Sequence, residues 1–267
     1  MRVKIIGTIS ALIGVLTISC LKNELNEYNF SHPAVTLKLD KQLNEISGLQ
    51  WLSDSTIYCV QDERARAYIF NFKKGKIVRF IDFGKNGDFE GIAVNGKYTC
   101  MLRSDGNIFI SDNEGKAKEY KFKKEGSFDF EGICLDSLNN RLLVACKAHG
   151  NKKKRDNLFI YQFSFKDNSY SYNPVFKLKK GKGIHPNFKS SGIAIHPISK
   201  DIYVLSSFSK TILVLSSNGR FKKTVQLSDY IYHQPEGITF SNDGKLFISN
   251  EKNETCPTLI QLDYKKV

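Results

Sequence analysis

From residue 34 onward the chain is built of short apolar runs broken by polar turns, and no stretch keeps the period of an amphipathic helix. Residues 56–60 (TIYCV), 68–72, 201–205 and 211–215 are rich in β-branched and aromatic side chains, which suit a pleated surface better than a helix. Between such runs lie Asp105-Gly106-Asn107, Ser217-Asn218-Gly219 and Asn242-Asp243-Gly244, residues that adopt tight turns at little steric cost. The pattern predicts an all-β chain.

One short phrase recurs five times: Glu45-Ile46-Ser47-Gly48-Leu49, Asp88-Phe89-Glu90-Gly91-Ile92, Asp129-Phe130-Glu131-Gly132-Ile133, Ser190-Ser191-Gly192-Ile193-Ala194 and Gln234-Pro235-Glu236-Gly237-Ile238. Its glycines are 43, 41, 60 and 45 residues apart, the spacing of propeller blades. The 60-residue interval holds Lys152 to Arg155 and the segment 181–189, and reads as a blade with inserted loops. Each repeat supplies an inner strand from its glycine, a second, a third, and a fourth at 76–83, 117–122, 174–178 or 220–227. The fifth has three, at 238–240, 245–249 and 258–264, and residues 34–39 upstream can complete it. Pairing the two ends in one blade removes the last open edge. The expectation is a five-bladed β-propeller, with six blades as the alternative count.

Arg2 and Lys4 precede an uncharged run, residues 5–19, which ends at Cys20 behind Ser19. That layout resembles a bacterial lipoprotein signal, so residues 1–19 are assigned to a signal peptide and Cys20 to the acylated start of the mature chain. The run is short of the roughly 20 residues that cross a bilayer. Thr17 stands where a leucine is typical, and an uncleaved anchor or a plain secretory signal are the alternatives. Residues 20–33 then form a tether and 34–267 a monomeric propeller, lipid-anchored to a membrane of the cell envelope. Cys59, Cys100, Cys134 and Cys146 sit in apolar runs and are expected as small core residues without disulfides; Cys256, in a polar loop, is the accessible thiol.

The formal charge is +13, or +11 without Arg2 and Lys4. Lysines are spread through the turns, with one cluster at Lys152, Lys153, Lys154 and Arg155. Solvated turns account for most of them, and attraction to anionic headgroups or phosphorylated ligands is the functional alternative. An exported chain without aromatic-basic interleaving argues against nucleic acid.

The phrases EISGL, DFEGIAV, DFEGICL, SGIAIHP and QPEGITF, followed by Leu246-Phe247-Ile248-Ser249-Asn250-Glu251, closely resemble the SdiA-regulated (YjiK-like) family of bacterial exported propellers over roughly residues 34–267. That resemblance implies the fold and no particular reaction. The family is similar at a distance to calcium-containing propellers, including phytase-like and lactonase-like enzymes, which implies a metal in the funnel by analogy.

In a propeller, the loop into the inner strand and the loop after the second strand open on one face. The first brings Glu45, Glu90, Glu131 and Glu236, with Ser191 replacing the acid in blade four; the second brings Asp62, Glu63, Arg103, Lys147, Ser207, Asn250 and Glu251. Four carboxylates near one axis repel unless paired, protonated or bridged. Arg103 and Lys147 are expected to neutralise two, and a hard divalent ion, Ca²⁺ first, to be held by Glu45, Glu90, Glu131 and Glu236. The structural alternative is that the repeated acid accepts backbone N–H bonds from the next blade. Asp88 and Asp129 order the same loops or add a ligand. Among the histidines, His196 before Pro197 reads as turn chemistry, while His149 and His233 are the candidates for acid–base work. No HExxH, CxxC pair, GxSxG or phosphate-cradling glycine loop is present.

The leading functional expectation is a binding or scaffold propeller whose acidic funnel holds Ca²⁺ or a small polar ligand. A calcium-dependent hydrolase of phosphoesters or lactones is the alternative. A third reading docks an acidic protein partner on the basic loop 151–157.

Overall fold

The computed structural model describes residues 27–112 and 117–266. The expected signal peptide and Cys20 lie outside the described residues. Twenty strands form five four-stranded antiparallel sheets. Blade one comprises β2 (Ile46–Ser53), β3 (Thr56–Gln61), β4 (Arg66–Asn71) and β5 (Lys76–Asp82). Blade two comprises β6 (Phe89–Asn95), β7 (Tyr98–Arg103), β8 (Ile108–Ser111) and β9 (Lys118–Tyr120). In blade three, β10 (Phe128–Asp136) is followed by β11 (Arg141–His149), β12 (Asn157–Ser164) and β13 (Ser169–Lys179). Blade four is β14 (Gly192–Ile195), β15 (Ile202–Ser206), β16 (Thr211–Leu215) and β17 (Phe221–Gln226). Blade five joins β18 (Pro235–Phe240), β19 (Leu246–Asn250) and β20 (Thr258–Leu262) to β1 (Val35–Lys38) from the other end of the chain. The count is five, and the ring closes by the expected pairing, with Val35 opposite Gln261 and Lys38 opposite Thr258.

The middle strands read as unbroken apolar runs because both of their faces are covered. In β3, Ile57 and Cys59 pack toward blade five, while Tyr58 and Val60 pack toward blade two. The core is thus five layers between neighbouring blades. Cys59, Cys100, Cys134 and Cys146 are buried in those layers as free thiols, and Cys256 is partly exposed.

The recurring glycine has a steric cause. A β-carbon on Gly48 would lie 2.7 Å from the Cα of Gly91, one on Gly132 would lie 2.9 Å from Gly192, and one on Gly192 would lie 2.6 Å from the carbonyl oxygen of Glu236. Gly91 likewise abuts Ile133, and Gly237 abuts Leu49, so each glycine faces the next blade around the ring. Only Gly lets inner strands approach this closely. They leave an axial cavity of about 10 Å³, space for about one water.

Packing also reaches upstream of the expected domain start. Tyr28 is 4% exposed among Tyr203, Tyr232 and Phe240, so residues expected as tether are part of the core. The Tyr28 hydroxyl donates to the carbonyl of Gly244 at 2.5 Å and meets His196 Nε2 at 2.9 Å.

Candidate functional site: an acidic mouth with one central lysine

The inner strands carry a register shift just before or at their glycine, between Ile46 and Gly48, Phe89 and Gly91, Phe130 and Ile133, and Pro235 and Ile238. A bulge re-aims its extra residue. In blades two, three and five that residue is a glutamate, Glu90, Glu131 or Glu236. In blade one the same position is Ser47, and in blade four Ser191.

This register corrects one expectation. Glu45 does not belong with Glu90, Glu131 and Glu236: it stands three residues before its glycine, in line with Asp88, Asp129, Lys189 and Gln234. The mouth therefore has two tiers. The inner tier is Ser47, Glu90, Glu131, Ser191 and Glu236, with Glu131 only 5% exposed. Glu45, Asp88, Asp129, Lys189 and Gln234 make the outer tier, where Glu45 and Asp88 are exposed.

The loops after the second strands show a one-residue offset too. Backbone N–H groups of Asp62, Ser104 and Glu251 donate to the carbonyls of Glu45, Asp88 and Gln234 at 3.2, 2.8 and 3.0 Å, so these three are equivalent. Arg103 precedes that position, and strand alternation turns it away. It pairs instead with Asp105 at 2.8 Å and Glu119 at 3.2 Å and lies over the Phe109 ring. Arg103 therefore neutralises none of the funnel glutamates.

Lys147 does enter the mouth, bonded to Glu131. Burial pulls its ammonium down, but Glu131 and Asp129 more than offset this and hold it protonated. Burial raises Glu131 to about 8, with Glu236 adding to the rise and Lys147 opposing it. Glu90 is pushed up to about 10 by burial, by Glu131 and by its hydrogen bond with Asp88. Burial also raises Glu236, which hydrogen bonds to Ser207 and Ser191 draw back down. Glu251 is raised to about 8 by burial and by Glu236, Glu45 and Asp62, and it is bonded to Gln234. Asp62 is raised by burial and by Glu45, and its Oδ1 is buried without a partner. Glu63 is exposed at the rim. Asn250 is structural, its amide donating to Ile231 O at 3.1 Å and Thr258 Oγ1 at 3.0 Å.

Glu131 is thus bonded to the Lys147 side chain. Among the described residues no three His, Cys, Asp or Glu side chains are grouped as metal ligands. Glu131 is committed to Lys147 and Glu45 stands in the other tier, so the four carboxylates expected to hold Ca²⁺ do not form one ligand set.

A cavity of about 370 Å³ opens beside the inner tier, lined by Glu131, Lys147, Lys189, Ser207, Lys210 and Glu236. Ser190, fully buried, adds a hydroxyl without a partner. His233 is exposed there, and its carbonyl accepts from Lys210 Nζ at 2.5 Å. Lys189 and Lys210 were not singled out by sequence reasoning; the signal for Lys189 is its place three residues before Gly192, where other blades carry an acid. At the opposite end of the axis a pocket of about 250 Å³ is lined by Leu49, Ile133, Ile193 and Ile238 together with polar residues, among them Asp136, Asn139 and Lys200. Its Asp136 is already bonded to Arg141 and Asn139, both at 2.8 Å, so charge is unsatisfied at the acidic mouth and not there. His196 is structural as expected: Nδ1 accepts from the N–H groups of Ile198 and Ser199.

Five sheets closed around an acid-lined mouth define a five-bladed β-propeller. The chain belongs to the SdiA-regulated family, whose model matches residues 24–254. A search of curated proteins gives no match. Among solved structures, the glutaminyl cyclase of Myxococcus xanthus is similar, with 12% identity, a TM-score of 0.62, and coverage of 88% of this chain and 97% of that one. A luciferin-regenerating enzyme has 12% identity and a TM-score of 0.53, covering 88% and 98%. A chain of a nidogen/laminin complex has 16% identity and a TM-score of 0.53, covering 77% and 72%. At such identities these likenesses show the fold alone.

Proposed function

We propose that this protein is a non-enzymatic binding propeller, held at the cell envelope by lipid on Cys20, whose acidic mouth takes a small polar ligand carrying positive charge. The carrying observation is the imbalance at the mouth. Glu45, Asp62, Asp88, Glu90, Asp129, Glu131, Glu236 and Glu251 outnumber the ammoniums of the mouth, those of Lys147, Lys189 and Lys210, and several of these acids are raised well above the ordinary carboxylate range. A cationic ligand supplies the missing charge and releases the protons those carboxyls hold. Ca²⁺ is the simplest such species, but it needs several oxygens gathered at one point. A protonated amine needs only one or two acceptors and suits the dispersed acids better. The hydrolase alternative called for an open cation site beside Arg103 or Lys147; Arg103 lies outside the mouth and Lys147 is bonded to Glu131, so the binding reading is carried forward.

Calorimetry of the full chain at pH 8 with 1,4-diaminobutane, and separately with Ca²⁺, tests this. Saturable binding accompanied by proton release, and weakened by Glu90→Gln and Glu236→Gln, is expected for the diamine. If neither probe binds at millimolar concentration, or if both variants bind like the unaltered chain, the proposal fails.

A further inference from the structure

A second cavity, about 390 Å³, lies outside the acidic mouth, between the β11–β12 loop and the connection from β13 to β14. Lys180, Lys189, Arg155 and His149 line it, and Asp156 is the carboxylate among its lining residues. The size suits a small molecule.

Backbone hydrogen bonds place the segments that carry Lys180 and Lys189. The Lys180 N–H donates to Asp156 O at 2.8 Å, and the Lys189 N–H donates to Ser206 Oγ at 3.2 Å, just after the buried Phe188. His149 is 8% exposed against Phe128, and its Nδ1 accepts from the Asn151 N–H at 3.1 Å, which leaves Nε2 as the protonated nitrogen of the neutral ring. Among the described residues, neither Lys180, Lys189 nor Arg155 forms an ion pair, whereas Lys147 on the shared wall is taken by Glu131. A solvated basic loop would point its cations apart into water. Here Lys180, Lys189 and Arg155 border one concavity, with the Lys189 ammonium also over the Phe208 ring at 4.7 Å, and the ammonium of Lys180 is pulled below the ordinary lysine value by burial and then by Lys189. Burial and the cations Lys154 and Lys124 lower His149 in the same way. Like charges held this close in a half-enclosed space are relieved by a bridging anion. Two ammoniums and a guanidinium match a compact dianion better than a single carboxylate.

We propose that this cavity is an anion site for a phosphomonoester, gripped by Lys180, Lys189 and Arg155, whether the phosphate arrives on a soluble molecule or as a lipid headgroup. It goes beyond the amine reading of the mouth and does not depend on it: Lys189 borders both cavities, but Lys180 and Arg155 line this one alone.

Inorganic phosphate titrated into the full chain at low ionic strength should give saturable heat. Lys180→Met combined with Lys189→Met should weaken that binding by about tenfold or more, while Lys74→Met, in a turn of blade one, should leave it unchanged. On the unaltered chain, phosphate should slow acetylation of Lys180 and Lys189 by acetic anhydride, read by mass spectrometry, without slowing that of Lys74. The headgroup source is tested with phosphatidic acid vesicles against phosphatidylcholine vesicles. Binding to the acidic vesicles alone, lost in the double variant, assigns the site to a headgroup; binding of free phosphate assigns it to soluble ligands. Absence of binding to both, or equal acetylation with and without the bound probe, overturns the proposal.

Discussion

At the scale of single residues, two offsets of one or two positions decide what this protein can bind. Arg103 and Ser104 are neighbours in sequence, yet Ser104 takes the mouth position and Arg103 is sent to Asp105 and Glu119. Ser47 takes the inner-tier position that the composition of the phrase suggested for Glu45. Both follow from a side-chain period of two, which a bulge resets. The raised carboxyls make a pH dependence that can be checked. Glu90 ionises near 10 in the folded chain against an ordinary 4.5, chiefly through burial. Between those values the unfolded chain has lost this proton while the folded chain keeps it, so stability is greatest below the lower value and falls as pH rises through the window. Thermal melts should show Tm dropping from pH 6 to pH 9, and Glu90→Gln, which keeps a neutral side chain throughout, should flatten that drop. An unchanged slope would mean that Glu90 is ionised in the folded chain. The ring glycines give a second prediction: Gly192→Ala sets a methyl against the Glu236 carbonyl, backbone that cannot swing aside, and should cost about 1–3 kcal/mol in denaturant unfolding. A loss below about 0.5 kcal/mol would show that the inner strands can spread.

Among the elements, the one that closes the ring governs cooperativity. Blade five takes three strands from the C-terminal end and one from the N-terminal end, so its outer edge is covered only when both ends of the domain are in place. Hydrogen bonds between loops add to this: the N–H groups of Phe89 and Phe130 donate to Asp62 O and Ser104 O of the preceding blades, both at 2.9 Å. The upstream anchor is Tyr28, whose hydroxyl joins Gly244 O to His196 inside the blade four–blade five layer. Tyr28→Phe leaves a buried carbonyl without its donor and should cost about 1–3 kcal/mol. Hydrogen exchange should localise the loss to β1 and β20, where the N-terminal segment docks. Uniform loss of protection in all blades would instead mean that the ring opens as one unit. The pattern of apolar runs located nearly every strand, because a strand buried on both faces is apolar throughout; it was silent on Tyr28, since a lone aromatic in a polar stretch carries no period.

Taken whole, the molecule is a shut ring. Glycines close its axis, one end presents a pocket of mixed lining whose acid is already paired, and the other gathers more carboxylates than lysines. Lys147 occupies the place that a bound cation would fill, so Lys147→Met should strengthen binding of 1,4-diaminobutane about tenfold, or about 1.4 kcal/mol. Calorimetry decides it, and weaker binding in the variant would show that Lys147 positions the ligand instead of substituting for it. The repeated phrase, its spacing and the completing strand at residues 34–39 pointed to five blades and to ring closure, because strand period, turn chemistry and repeat length are local properties of the chain, and the tertiary structure decided five over six. Local patterning also determined that Cys59, Cys100, Cys134 and Cys146 would be buried. Which charges meet was decided by tertiary structure alone. Bulge register sets the tier of each acid, strand alternation excludes Arg103, and the long connection from β13 to β14 carries Lys180 and Lys189 to one cavity. Those placements depend on how distant segments pack in three dimensions, and no spacing along the chain encodes them.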